Sequence, residues 1–394
     1  MSTMTQTRKH LLYLMACALQ DTSAQEEILA DADLKQLLIM AKKHSVSSMV
    51  CMALEKTAIF ANADETTKKQ WLEAKNKAIR KNMLLDAERK AILHELETQG
   101  IWYMPLKGSI LKDWYPKPGM REMADNDILF DPSGRKQVRK IFQNRGYKTV
   151  SFRKGNHDVY EKAPIYNFEM HVSLFHGMYK ELAEQYTKQY ENVKERLLPV
   201  DGTAYQFAFT PEDFYVFALA HAYKHYSHSG TGVRTLADIY VMERHLGDIM
   251  DRDEVEQKLT QLGIAEYEQH SRVLAEKLFS AVRPLAEIEL TEDEKEMLLY
   301  YCDATTYGTV GNSVNNRLHE LQEDSEDITL RTKLKYCCVR LFPGREFCKL
   351  YYPFVYSHPW TLPFFWVWRI VYRSIANKKN LQQELKALKA VSRR

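Results

Sequence analysis

The chain has 394 residues, 45% hydrophobic and 27% charged, and a formal net charge of +3. This composition suits an ordinary globular protein with room for two or three domains, and it excludes disordered and fibrous classes. So small a net charge leaves no nucleic-acid footprint of its own.

From Lys9 to Gln99 apolar residues recur at helical spacing, as at Leu34, Leu37, Leu38 and Ala41, and neither Pro nor Gly intervenes. The pattern predicts about four helices in an N-terminal bundle, the last over Thr66 to Glu97 with room for a break. Gly100 ends it, and the period changes. A short strand (Ile101 to Leu106), a short helix (Ser109 to Trp114) and a second strand (Asn126 to Phe130) follow. Asp131-Pro-Ser133 opens a helix with Val138, Ile141 and Phe142 on one face, and Arg145-Gly146 stops it. Tyr147 to Phe152, Asp158 to Glu161 beyond a turn at Gly155-Asn156, and Tyr166 to Phe175 read as strands. Beyond His176 helices resume, apart from an extended piece at Tyr205 to Phe209. Thr210-Pro-Glu-Asp213 starts a helix bearing Phe214, Phe217, Ala218 and His221. Gly308 to Gly311 reads as a turn, since it lacks the lysine of a P-loop, and Glu323 to Asp327 as a charged loop. The expectation is an α+β protein: an N-terminal helical region (1–99), a core with a small mixed sheet (100–200) and a C-terminal helical domain (201–394).

Six cysteines show no paired metal spacing, which predicts a reduced, cytoplasmic protein. No transmembrane segment or signal peptide is expected. The aromatic stretch Pro363 to Arg373, interrupted by Arg369, reads as a buried helix or a partner-facing edge, with peripheral membrane contact near Lys378-Lys379 as the alternative.

Asp125 and Asp127 stand where a strand enters an apolar run, Ile128-Leu129-Phe130. Residues two apart on a strand point to one side, so the two carboxylates can meet one ion. A third, Glu169 on another strand, completes a set of hard oxygen ligands of the type Mg²⁺ takes, with Mn²⁺ as the alternative. Upstream, the Gly108-Ser109 step can offer backbone N–H groups and a hydroxyl to phosphate.

The order Leu106-Lys-Gly-Ser109, Tyr115-Pro116, Arg121, Asp125-Asn-Asp127, Phe168-Glu-Met-His171 resembles the uncharacterised nucleotidyltransferase family of the DNA polymerase β superfamily. His221-Ala-Tyr-Lys224-His225 and Gly232 to Asp238 resemble its following helical motif. Two departures are Ser109, where many relatives carry a small apolar residue, and Glu169, where the superfamily more often has Asp. The resemblance implies a polymerase-β-type core that moves NMP from an NTP, ATP foremost, to a hydroxyl or phosphate of a small molecule, sugar, peptide or protein. Asp125, Asp127 and Glu169 become catalytic metal ligands, clamping two cations about 3.5–4 Å apart. Lys107, Gly108, Ser109, Arg121, His221 and Lys224 become the nucleotide-binding set, and His171 a residue that orients Glu169. On the structural alternative, Arg121 pairs with an acid, His221 is a core histidine and Lys224 pairs with Asp238. The rival functions are a toxin-like transferase acting on tRNA and an inactive nucleotide-binding or scaffold protein.

Overall fold

The structure, a computed structural model, describes residues 4–175, 185–186, 188–306, 308–322, 328–345, 347–348 and 352–391; the charged loop expected at Glu323 to Asp327 lies outside them. The chain divides into two compact units, Met1–Tyr223 with Gly232–Thr306, and Lys224–Thr231 with Tyr307–Arg394.

The first unit opens with α1 (Gln6–Leu19), α2 (Leu34–Lys43), α3 (Ser47–Leu54), α4 (Ala58–Ala61) and α5 (Glu65–Thr98). α1 is buried without interruption from His10 to Leu19, as expected of a helix apolar on all sides. α5 runs 34 residues with no break. Asp64 caps it by accepting from the Thr67 N–H, and Trp71, Ala78, Asn82, Leu85, Arg89, Ile92 and Leu96 keep one stripe buried along its length.

The sheet contains β1 (Tyr103–Pro105), β2 (Asn126–Phe130), β3 (Lys148–Ser151), β4 (His157–Lys162) and β5 (Tyr166–His171) in the order β1-β2-β5-β4-β3. β2 and β5 run parallel, and the other neighbours are antiparallel. The predicted helix at Ser109 to Trp114 begins a residue earlier as α6 (Gly108–Leu111) and tightens to a 3₁₀ turn over Lys112–Trp114. α7 (Arg135–Asn144) follows β2. Its Val138, Ile141 and Phe142 pack with Ile92 and Leu96 of α5 against Ile128, Phe130, Tyr160, Phe168 and Met170. Period two along the strands therefore commits one sheet face to the core and leaves Asp127, His157, Glu169 and His171 on the other.

The extended piece predicted at Tyr205 to Phe209 is a short hairpin, β6 (Leu198–Pro199) with β7 (Phe207–Ala208). α8 (Pro211–Ser229) starts as expected, the Thr210 hydroxyl accepting from the Asp213 N–H. α9 (Arg234–Leu246), α10 (Arg252–Gln261), α11 (Ala265–Phe279) and α12 (Glu292–Asp303) complete the unit.

The second unit contains α13 (Val310–Glu320), α14 (Leu330–Leu341), α15 (Pro353–Ser357), α16 (Leu362–Ala376) and α17 (Lys378–Ala390). Val314, Leu318 and Tyr336 form one small core, and Glu384 receives both Arg340 and Arg373. α16 is not the buried helix of the first reading: it buries Phe365 and exposes Phe364, Val367, Trp368 and Val371. Among the described residues no helix is long and apolar enough to cross a membrane. The protein is α+β, a small mixed sheet flanked by helices on either side in sequence.

Candidate active site

Parallel pairing of β2 with β5 sets Asp127 directly opposite Glu169. Asp125 ends the segment entering β2. Electrostatically the three carboxylates form one group. Burial, then the charge of Asp127, pushes the Asp125 carboxyl above its usual range. Burial, then the charges of Asp127 and Asp125, raises Glu169 to about 7. Burial also works against Asp127, but a hydrogen bond with His171 and the charges of His171, Lys107 and His157 outweigh it and hold this carboxyl low. His171 Nε2 lies 3.3 Å from Asp127 Oδ1 and 3.9 Å from Glu169 Oε2.

The segment that delivers Asp125 is clamped from three helices. Asn82 and Lys81 of α5 donate to the carbonyls of Arg121 and Ala124 at 3.0 Å each, and Arg89 donates to Asn126 Oδ1 at 3.0 Å. From α3, Ser47 Oγ and the Ser48 N–H donate to Glu122 Oε1 at 2.7 and 3.0 Å. From α9, Arg234 donates to the Glu122 carbonyl at 3.0 Å, and its charge acts on Asp125. The N-terminal helices thus hold the aspartate segment in place as well as covering the sheet.

The other nominated residues separate by environment. Lys107 Nζ sits 2.8 Å from both ring nitrogens of His221, and its charge lowers all three carboxyls. Lys224 belongs to the second unit. Arg121 does not reach outward as a triphosphate ligand: it is buried, and its Nε and Nη2 donate to Asp238 Oδ1 and Oδ2 at 2.7 and 3.0 Å. Tyr115 donates to the same carboxylate at 2.6 Å, so Asp238 serves both Arg121 and Tyr115. Gly108 makes room for this pair, since a Cβ there would meet Arg121 Nη1 at 3.2 Å. Ser109 is a second correction. Its hydroxyl is buried and turns back to the Leu106 carbonyl at 2.9 Å instead of facing a phosphate.

Sequence reasoning passed over His157, the Cα partner of His171 across β4 and β5. The signal was present: a turn at Gly155-Asn156 leads into a strand, and antiparallel return brings the start of β4 opposite the end of β5. Arg234 and Lys81 were also missed as neighbours of Asp125, because both act from helices distant in sequence.

No curated protein matches the chain. A crystal structure of an antigenic nucleotidyltransferase-like protein from Paracoccidioides brasiliensis aligns with 51% of this chain and 97% of its own, at 14% identity and a TM-score of 0.30. A family model described as uncharacterised nucleotidyltransferase matches residues 30–280, more than half of the chain and inclusive of Asp125, Asp127 and Glu169. The chain belongs to this uncharacterised nucleotidyltransferase family.

Proposed function

We propose that the protein transfers a nucleoside monophosphate from an NTP, with ATP the first donor to test, to a hydroxyl or phosphate of a small-molecule, sugar, peptide or protein acceptor. The observation that supports this reading is Asp127 directly opposite Glu169 across the parallel β2–β5 pair, with Asp125 just ahead of β2 and both Asp125 and Glu169 raised by burial and by the charge of Asp127. Such a set of hard oxygen donors fits Mg²⁺ or Mn²⁺, which would bind at Asp125, Asp127 and Glu169. When bound, the ion supplies charge stabilisation to the transferring phosphoryl group.

The chain's own residues supply placement and proton handling. Lys107 and Arg234 bring positive charge to the carboxylates and the phosphates beside them. Glu169, directly opposite Asp127, is placed to accept the acceptor's proton. The acceptor oxygen then bonds to the α-phosphorus, the bond to the β-phosphate oxygen breaks, and pyrophosphate leaves. His171 fixes Asp127 through the 3.3 Å contact. Gly108 opens α6 beside Lys107, and Arg121 acts through its buried pair.

The test is incubation with Mg²⁺ and each α-³²P-labelled NTP in a lysate of the source cells, comparing wild type with Asp125→Asn/Asp127→Asn. Label transferred by the wild type and reduced at least ~100-fold in the variant supports the reading. If NTP binds both proteins yet neither transfers label, the protein is a nucleotide-binding protein instead.

A further inference from the structure

We propose that His157, Glu169 and His171 form a site for a first-row transition dication of the Zn²⁺ class, beside the aspartate pair and distinct from it in donor chemistry. This goes beyond nucleotidyl transfer and does not depend on it. One ligand atom from each of the three residues lies within 4.8 Å of the others. His157 Nε2 is 3.5 Å and His171 Nε2 3.9 Å from the same oxygen, Glu169 Oε2. Ligands at ~2.0–2.1 Å around a tetrahedral zinc are themselves separated by roughly 3.3–3.4 Å, close to these spacings.

The backbone delivers this convergence without loop freedom. His157 and His171 are direct partners across β4 and β5, and the pairing continues past them, the Val172 N–H donating to the Asn156 carbonyl at 2.8 Å. Glu169 is two residues from His171 on the same face. The hydrogen bonding of His157 also suits ligation. Asn156 Nδ2 donates to the Ser173 carbonyl at 3.1 Å, which turns Asn156 Oδ1 towards His157 Nδ1, also at 3.1 Å. With a proton on Nδ1, Nε2 would present its lone pair towards Glu169. Metal-bound histidines use this outer-shell arrangement.

Donor type sets the metal. Mg²⁺ takes oxygen ligands, whereas imidazole nitrogens select transition ions. Two histidines and one carboxylate leave a coordination position open, as catalytic zinc sites do. Glu169 belongs to both donor sets, and on binding an ion His171 Nε2 would exchange its hydrogen bond with Asp127 for the metal, so an ion here adjoins the aspartate pair.

The experiment titrates chelator-treated full-length protein with Co²⁺ and reads its visible d–d absorption, then measures Zn²⁺ affinity by competition. Expected are one intense, low-symmetry Co²⁺ spectrum per chain, its displacement by equimolar Zn²⁺, and its persistence in a thousandfold excess of Mg²⁺. His157→Ala abolishes the spectrum. Asn156→Ala, which removes the orienting contact together with the bond to the Ser173 carbonyl but no proposed ligand, weakens Zn²⁺ binding ~10–100-fold. Asp125→Asn retains the spectrum while losing label transfer, so the two readings fail separately. A Co²⁺ spectrum like that of the aqueous ion, ready displacement by Mg²⁺, or unchanged affinity in a folded His157→Ala protein overturns the proposal. Should that variant not fold, the wild-type spectrum and the Asn156→Ala affinity decide.

Discussion

Arg121 and Asp238 are a buried, bidentate ion pair, and the tyrosine hydroxyl of Tyr115 uses one of the same carboxylate oxygens. Burial opposes ionisation of Asp238, but the charge and hydrogen bonds of Arg121 hold its carboxyl below the usual range. Asp238→Asn leaves a guanidinium buried without its counter-charge, and we expect a loss of about 3–5 kcal/mol in urea unfolding. Arg121→Lys does not restore it, because a single ammonium cannot reproduce the fork. Ser109 gives the opposite expectation. Its hydroxyl bonds to the Leu106 carbonyl, so Ser109→Ala costs about 1 kcal/mol of stability and leaves NTP affinity at the wild-type level in a binding titration. A marked loss of affinity would return Ser109 to the phosphate site.

Between elements, two joints carry the fold around the aspartate segment. His44, at the end of α2, is buried and accepts from the Val233 N–H ahead of α9 at 3.4 Å. Burial, aided by the charges of Arg8 and Lys43, pulls its pKa down to about 4. Between pH 6.5 and 4 the unfolded chain thus binds more protons than the native one, and stability falls as pH falls through that window. The contribution is on the order of 3 kcal/mol. Urea unfolding at pH 7 and at pH 4.5 should show that much less pH dependence in His44→Gln than in wild type. The second joint is Gly119, at φ +83°, where an added Cβ would lie 2.5 Å from Ile79 Cγ1 of α5. Gly119→Ala is expected to cost about 2–3 kcal/mol, from left-handed backbone strain and the clash together. Adding Ile79→Ala relieves the contact with Cγ1 but neither the backbone strain nor the approach to the residue 79 Cα at 3.1 Å.

Over the whole molecule, the two units differ in how they bury apolar surface. The first encloses a continuous sheet-and-helix core, whereas α16 of the second leaves Val367 64% and Val371 53% exposed. Charges placed there meet water rather than packing. Val367→Glu with Val371→Glu should therefore shift thermal stability by less than about 0.5 kcal/mol while lowering retention on a hydrophobic matrix. A large destabilisation would mean that the face is packed in solution.

Local pattern was enough to find α5, the strand order along the chain and the strands at which Asp125, Asp127 and Glu169 lie, because period and cap residues are properties of neighbouring positions. It left room for a break in α5, since an unbroken stripe over 34 residues depends on partners along the entire helix. Tertiary structure decided the rest. Only the fold brings Asp238 to Arg121 across 117 positions, Lys107 to His221 across 114, and His157 to Glu169 through a strand pairing. By itself the sequence determined which residue types were present to do chemistry and on what local elements they lie. Which of them share a surface was decided by packing, because the energy of an ion pair or a ligand set depends on distances that no local spacing specifies.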